Sequence, residues 1–459
     1  MNAESPVEVA ERALGHTTGE AQATVVRERS LLSRFARSRP TQATQVDDTT
    51  VSILRVHDGH LGSADTNDLS DDGLRDVAAR ADAGARAAAA AAGGRGEYPG
   101  LPAVADAAPR AHDGFDAATA QLDPAAAGAA LAAAFAGCAE RGLEAFGVWT
   151  AGAVETAIAS SAGVRASEEV TDAYMKVIAR AESGRSGWDA DAAVAAGALD
   201  PAAIAARAAA KVTDEEPVEL EPGEYPVVLA ADAVAELLDF LGFLAFNGLA
   251  HAEGRGALEG RLGTRVAPPA INLSDSPRFA RTLPRAFDFE GVPKAPLPLI
   301  QDGVAHRVVH DTLSAARAGD GARSTGHATA PGGSSFGPHP TNLVLIGGGA
   351  AGEEELSATI ERGLYVTRFW YVNVVHEKQT LLTGMTRDGT FLIEDGRIAR
   401  PLRDVRFTDS VLRILSATEA LTAAQRLVAE ADFYGRRFAS GVVCPALRAD
   451  GFRITGQTV

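Results

Sequence analysis

The apolar positions of this chain are most regular between Asp232 and Leu249. Val234, Leu237, Leu238, Leu241, Leu244, Ala245 and Leu249 recur at steps of three and four. That spacing lays one apolar stripe along a 3.6-residue period and predicts a helix over 232–250. Asp232 is placed to cap its first turn, because a carboxylate accepts from the unpaired N–H groups there. The stripe runs into His251 and a glycine-rich tail, HAEGRGALEGRLG.

Upstream the pattern breaks into shorter pieces. Residues 5–15 read as an amphipathic helix, 21–26 and 31–37 as strands, 50–56 as an alternating strand, and 74–92 as an alanine-dominated helix. Asp58-Gly59 marks a hairpin turn. Residues 93–106, rich in Gly and Pro, read as a linker. Beyond it, 125–142 reads as one helix and 147–160 as a strand pair, while 171–181 and 190–211 are apolar-periodic or Ala-rich. The acidic, proline-bounded stretch 214–222 is the best boundary. Downstream, 363–375 reads as one long strand that HEKQ turns and LLTGMT returns, Asp388-Gly389 turns the chain again into FLIEDGRI, and Asp395-Gly396 within it marks a further turn. The pattern predicts an α+β protein in three parts. An N-terminal α/β region covers 1–92, a mostly helical central region 107–213, and a β-rich C-terminal domain with an antiparallel meander 221–459.

Composition narrows the classes. Lys+Arg 43 against Asp+Glu 60 gives a formal charge of −17, and no basic patch interleaved with aromatics occurs, which argues against a nucleic-acid partner. Two cysteines, Cys138 and Cys444, make neither a disulfide framework nor a cysteine-rich metal site. The N-terminal residues lack a basic start followed by an apolar run, and no stretch approaches the ~20 apolar residues that span a bilayer. A cytoplasmic protein without a membrane partner is expected.

The tail after the helix carries the candidate chemistry. A zinc peptidase helix needs two imidazoles converging on the ion and a carboxylate beside the metal-bound water. Here His251 is followed by Ala252, the next histidine is His306, and Glu253 is displaced by one position. Arg255, Arg261 and Arg265 add positive charge that opposes a dication. As a zinc site the stretch is incomplete.

HAEGRGALEG resembles the HExxxHGxLEG segment of the TldD branch of the TldD/TldE (PmbA) metallopeptidases. His251 and Leu258-Glu259-Gly260 fall in place, Ala252 stands at the general-base position, and Gly256 stands at the second-histidine position. The TldE branch lacks the metal motif, so the chain resembles TldE. SRFARS (33–38), RVHDGHLGSADTN (55–67) and SGRSGWDAD (183–191), with a Gly-Trp pair expected in a turn, extend the resemblance over nearly the whole chain. The resemblance implies a non-catalytic subunit with no cofactor of its own and no catalytic residue. A TldD-type HExxxH partner would supply the zinc, and peptides would be the substrate. It makes His251, Ala252, Gly256 and Glu259 a degenerate metal motif and implies a scaffold role for Arg34-Phe35-Ala36 and the turn at 62–67.

Other constellations compete. Gly347 to Gly352 fits G-x-G-x-x-G, but the chain then enters a hairpin meander, so a strand-to-helix turn is the better reading. His251 is a relic ligand, a peptide-contacting donor or a surface residue, the last favoured because a helix C-terminus welcomes a partly charged imidazole. His306, His310, His327 and His339 leave open an independent hydrolase drawing on Ser314 or Ser324 with His310 and Asp311, although no nucleophile elbow surrounds either serine. A binding or scaffold protein without a protease partner also stays open. Cys444 reads as a packed thiol. Tyr365, Phe369, Trp370 and Tyr371 fall within seven residues of a chain with 6% aromatics. They must be core, interface or the wall of a peptide cavity.

Overall fold

Ser5 starts the first element by accepting from the Glu8 amide while Glu8 reaches back to the Ser5 amide, a capping box that opens α1 (Pro6–Gly15). Three strands and a helix follow: β1 (Ala21–Ala36), β2 (Arg39–His57), β3 (His60–Thr66) and α2 (Asp71–Ala92). The central segment adds α3 (Pro124–Ala139), β4 (Glu144–Ser160), β5 (Arg165–Arg180), β6 (Ser186–Ala193) and α4 (Pro201–Ala210). All six strands form one antiparallel sheet in the order β3-β2-β1-β4-β5-β6, with β1 joining the two segments through β4. The computed structural model describes residues 4–105, 108–319, 321–429 and 436–457. Residues 1–3, 107 and 458–459, at the ends of the three expected parts, and residue 106, at the end of the expected linker, lie outside the described residues.

Side-chain parity explains what covers this sheet, since alternate residues of a strand face opposite sides. Ala23, Val25, Leu31 and Phe35 of β1 and Ala151 and Ala157 of β4 pack under the helices, with α1 and α2 at one end and α3 and α4 at the other. The even-numbered face carries Val26, Val148, Val154 and Tyr174 and meets the C-terminal half. Burial on both faces removes the polar alternation from β5, which is why 171–181 looks helical in sequence and is a strand. The middle region holds two helices, but its long strands outweigh them. Residues 21–37 and 147–160 each form one strand instead of two, and Gly187-Trp188 lies within β6 and not in a turn.

The C-terminal half is built on β19 (Gly441–Gln457), and the elements before it come in this order: β7 (Gly223–Leu229), α5 (Ala231–Ala245), α6 (Gly248–Ala252), β8 (Leu273–Asp275), β9 (Leu297–Gln301), β10 (Val304–Ala305), α7 (Thr312–Ala318), β11 (Asn342–Leu345), α8 (Glu353–Ser357), β12 (Arg362–Val366), β13 (Phe369–His376), β14 (Leu381–Thr386), β15 (Thr390–Glu394), β16 (Arg397–Pro401), β17 (Val405–Ser410), α9 (Val411–Ser416) and β18 (Thr418–Val428). β19 pairs with β7, β17 and β18 antiparallel and with β11 in parallel. The stripe on α5 is buried as its period predicts, with Leu237, Leu238, Leu241 and Leu244 in the main core. Each such side chain stabilises the fold by roughly 1.5–3 kcal/mol. Asp395-Gly396, with φ of +49° and +77°, makes the expected turn between β15 and β16.

Three expectations need correction here. The helix over 232–250 is two helices, because the Phe246 carbonyl and the Gly248 amide pair with Val309 instead of continuing the helix ladder. Asn247 then caps α6, its Oδ1 accepting from Leu249 and Ala250. Asp232 is not the cap of α5: it is buried in the first turn, and its carboxylate meets Arg426 of β18 at 3.3 Å. The strand over 363–375 is β12 and β13, broken where Thr367 turns to the Gly389 carbonyl and Arg368 to the Asp388 carboxylate. The segments 284–293 and 324–330 run as loops, the first packing Ala286 and Phe287 against Ile158 of β4.

Candidate functional site

His251 sits on the last turn of α6. That helix stops at Ala252, where Gly254 takes a φ of +71° and the amides of Arg255 and Gly256 both donate to the Ala250 carbonyl. The chain therefore turns back on the helix end where the family's motif would continue. A Cβ at Gly256 would lie 3.0 Å from the His251 amide nitrogen, tighter than ordinary packing. Glu259 is held by Lys378, and Glu253 pairs with Arg255 at 2.8 Å and with Arg317. The donor set left at the motif is one imidazole. It does not fit a zinc ion, which takes at least three protein ligands in catalytic sites.

The imidazole itself is half-buried and not the surface residue favoured from sequence. Burial pulls its pKa below the ordinary value, opposed by the charge of Glu259, and its Nδ1 is enclosed without a hydrogen-bond partner among the described residues. Cys444 is fully buried, its thiol donates to the Ala231 carbonyl at 3.2 Å, and burial pushes its pKa up. It is a packed thiol.

The serine–histidine grouping is brought together in part. Ser314 Oγ lies 3.2 Å from His310 Nδ1, but Ser314 has no exposed surface and its hydroxyl accepts from the Asp311 amide in the cap of α7. Asp311 turns its carboxylate to the Ser314 amide at 2.7 Å and does not orient His310. Ser324 donates to the His310 carbonyl. The hydroxyl sits inside a helix cap, with no route to a substrate.

His327 belongs to a centre the sequence did not reveal. Its Nε2 lies 3.0 Å from Asp275 Oδ2, Lys294 Nζ lies 3.0 Å from the same oxygen, and the amides of Thr341 and Asn342 donate to Oδ1. Burial alone would raise the Asp275 carboxyl, yet Lys294 and His327 hold it well below the usual range. Burial and the Lys294 charge lower His327 to about 4, so it is neutral and donates. The adjoining cavity, bordered by Lys294, His327, Asp288, Glu168 and Arg285, encloses about 20 Å³. That is room for a single water and not for a substrate. The triad ties the loops around 294 and 327 to β8 and β11. No signal in the sequence joins three residues so far apart.

Beside it, Glu290 is wholly buried and accepts from Tyr98 Oη at 3.1 Å and from the Thr312 amide at 2.9 Å. Burial and the neighbouring Asp288 push its carboxyl up to about 8, with Asp311 adding to the rise, and burial pushes Asp288 up to about 6 against the nearby Lys294. The folded state thus binds protons that the unfolded chain releases. Their stabilisation is full below the ordinary carboxylate range and is lost as pH rises through about 6 to 8. Thermal unfolding should show stability falling between pH 6 and 8.5, and Glu290→Gln should flatten that slope. An unchanged slope in the variant would refute the assignment.

The four aromatics divide. Phe369 stacks in the core against Phe407, ring centres 4.5 Å apart, and Tyr365 packs near Phe391 at 6.2 Å. Trp370 and Tyr371 remain 42% and 73% exposed, followed by exposed Val374 and Val375. Among the described residues β13 pairs only with β14, in a register broken by bulges after Trp370 and Val374. Gly347 and Gly348 lie against the backbone of β18, where a Cβ would meet carbonyl oxygens at 2.6–2.8 Å, so that loop closes a sheet and holds no phosphate cradle.

The buried helix α5 leads through α6 into a His-x₆-Leu-Glu-Gly turn. Family models for the PmbA/TldA metallopeptidase domain 1, central domain and C-terminal domain match residues 21–91, 65–214 and 222–456. The chain belongs to the PmbA/TldD metallopeptidase family. It is similar to the crystal structure of TldE from Thermococcus kodakarensis, with a TM-score of 0.84 at 21% identity over 98% of this chain and 99% of that one. In sequence it is 26% identical over 226 residues to a metalloprotease of Methanothermobacter thermautotrophicus, covering 47% of this chain and 48% of that protein. It is 24% identical over 245 residues to a metalloprotease TldD homolog of Haemophilus influenzae, covering 51% of this chain and 48% of that protein. The alignments span about half the length of these two relatives. Among the described residues no helix is long and apolar enough to cross a membrane.

Proposed function

We propose that this chain is a TldE-type, non-catalytic subunit of a cytoplasmic metallopeptidase. A TldD-type partner contributes both histidines, the general base and the zinc. The observation that carries the reading is the closed turn after α6, where Ala252 and Gly256 replace the base and a ligand and the chain folds back on His251. The exposed apolar run on β13 supports it as a surface for a partner. In this reading the chain closes the peptide-holding cavity and excludes water from the partner's site. Its substrates are unfolded or small peptides.

The test pairs composition with assembly. Elemental analysis of the dialysed chain should find no stoichiometric zinc, and co-expression with a TldD-type subunit should give a complex at equal stoichiometry. Peptidase activity should appear only in that complex, and His251→Ala or Cys444→Ser should leave it within a few-fold. About one tightly bound zinc per chain, or a thousandfold loss of the order expected for a catalytic group, would overturn the reading.

A further inference from the structure

A second hollow borders the motif turn and has no part in the site described above. It has a volume of about 540 Å³ and opens beside the motif turn, between the segment 261–268, the tip of the β13–β14 hairpin and α9. Arg261, Arg265, Lys378 and Arg413 border it. Four cations around one hollow stand out in a chain of formal charge −17.

Two of the four are neutralised in place. Lys378 is held by Glu259 and the Gly254 carbonyl, and Arg413 by the Asp409 carboxylate and the Gly451 carbonyl. Arg261 and Arg265 have no carboxylate partner among the described residues, and Arg265 spends one N–H on the Asp302 carbonyl at 2.7 Å. The paired cations fix the walls, and the unpaired guanidiniums leave the hollow with net positive charge. Guanidinium forks match a carboxylate geometrically, each with two parallel donors. The wall between them is mixed: Val266, Ala267, Pro268 and Leu412 contribute apolar atoms, and Gln379, Ser410 and Ser416 polar ones.

We propose that this cavity binds the C-terminal carboxylate of a peptide, with the adjoining apolar side chain on the Val266–Leu412 surface. The ligand class follows from volume and chemistry together. A cavity of 540 Å³ falls within the range of small-molecule sites and holds more than one small ion. Apolar atoms in the wall next to the two unpaired guanidiniums suit an apolar residue ending in a carboxylate better than a bare phosphate. Its position fits a peptide running past the motif, because Arg261 follows Glu259 by two residues and Lys378 lies in the turn that ends β13. The inference rests on the reading that peptides are the substrate, but it needs neither zinc nor the partner subunit.

The test uses the isolated full-length chain and a fluorescent hexapeptide ending in leucine, as the free acid and as the C-terminal amide. The free acid should bind about tenfold to a hundredfold more tightly, the range for hydrogen bonds to a charged group. Arg261→Ala/Arg265→Ala should erase that difference, and Arg261→Lys/Arg265→Lys should retain part of it, with unfolding curves unchanged in both. Inorganic phosphate should compete only weakly. Equal binding of acid and amide, an unaffected double alanine variant, or displacement by phosphate as effective as by unlabelled peptide would each overturn the proposal. Because no partner is present, a negative result leaves the co-purification test standing, and failure to co-purify leaves this one standing.

Discussion

Replacing Arg437 with alanine is expected to destabilise the folded chain by about 3–5 kcal/mol, the cost of leaving a buried charge without its partner. The guanidinium is 2% exposed and lies on the even-numbered face of the six-stranded sheet. Its Nε and Nη2 each reach Asp172 at 2.7 Å, its Nη1 donates to Thr150 Oγ1 at 2.9 Å, and its own amide donates to Glu28. Gly152 makes the room, since a Cβ there would lie 2.6 Å from the Arg437 Nε. One side chain from the connection between β18 and β19 is thus seated in the centre of the other half of the molecule. Arg437→Ala leaves Asp172 enclosed and unpaired. Arg437→Met/Asp172→Leu removes both charges and should recover much of the loss, because a packed apolar pair is often neutral relative to a buried ion pair. Urea unfolding followed by tryptophan fluorescence would read this, with Trp149 and Trp188 in the six-stranded sheet and Trp370 in the other half. A loss under about 1 kcal/mol, below the range for breaking a buried pair, would refute the latch.

The same residue shows where sequence reading stops. The stripe on α5 was legible because leucines at steps of three and four have one structural meaning, and Asp395-Gly396 because positive φ favours glycine in a two-residue turn. β5 was not, because a strand covered on both faces loses its period and its alanines then look helical. The break after Phe246 was hidden because Val309, far along the chain, takes the backbone bonds. Nothing in the sequence marks charged residues such as Arg437 and Lys294 as buried. Their burial depends on carboxylates more than a dozen residues away, and Arg437 and Asp172 are 265 positions apart. Of the candidate site, the sequence pointed to the stretch around His251, Ala252 and Gly256, where the chain folds back on the end of α6. The Asp275–Lys294–His327 centre and the basic cavity exist only once the chain is folded.

The second large effect is expected at the partner surface. Trp370→Ala or Tyr371→Ala should weaken assembly with a TldD-type subunit by about 2–4 kcal/mol, or roughly thirtyfold to a thousandfold in Kd. The Trp370 side chain is already held in place. The Trp370 ring carries the guanidiniums of Arg387 at 4.7 Å and Arg368 at 5.3 Å, and Arg368 is itself anchored on Asp388. A ring fixed before binding loses little freedom on docking, which is what makes an exposed tryptophan an effective anchor. Tyr371 adopts a φ of +54°, a conformation costing roughly 1–3 kcal/mol for a bulky residue, and the bulge after Trp370 turns its ring outward. The fold tolerates that strain and leaves the side chain 73% exposed, an arrangement with no benefit to the isolated chain. Truncation at either position should therefore leave the isolated chain as stable as before, while affinity for the partner falls. Val104→Ala, at an apolar site 61% exposed on the distant 93–106 segment, should leave affinity unchanged and serves as the control. If the Trp370→Ala/Tyr371→Ala double variant assembles with undiminished affinity, β13 is not the docking strand and the partner must be sought on another face.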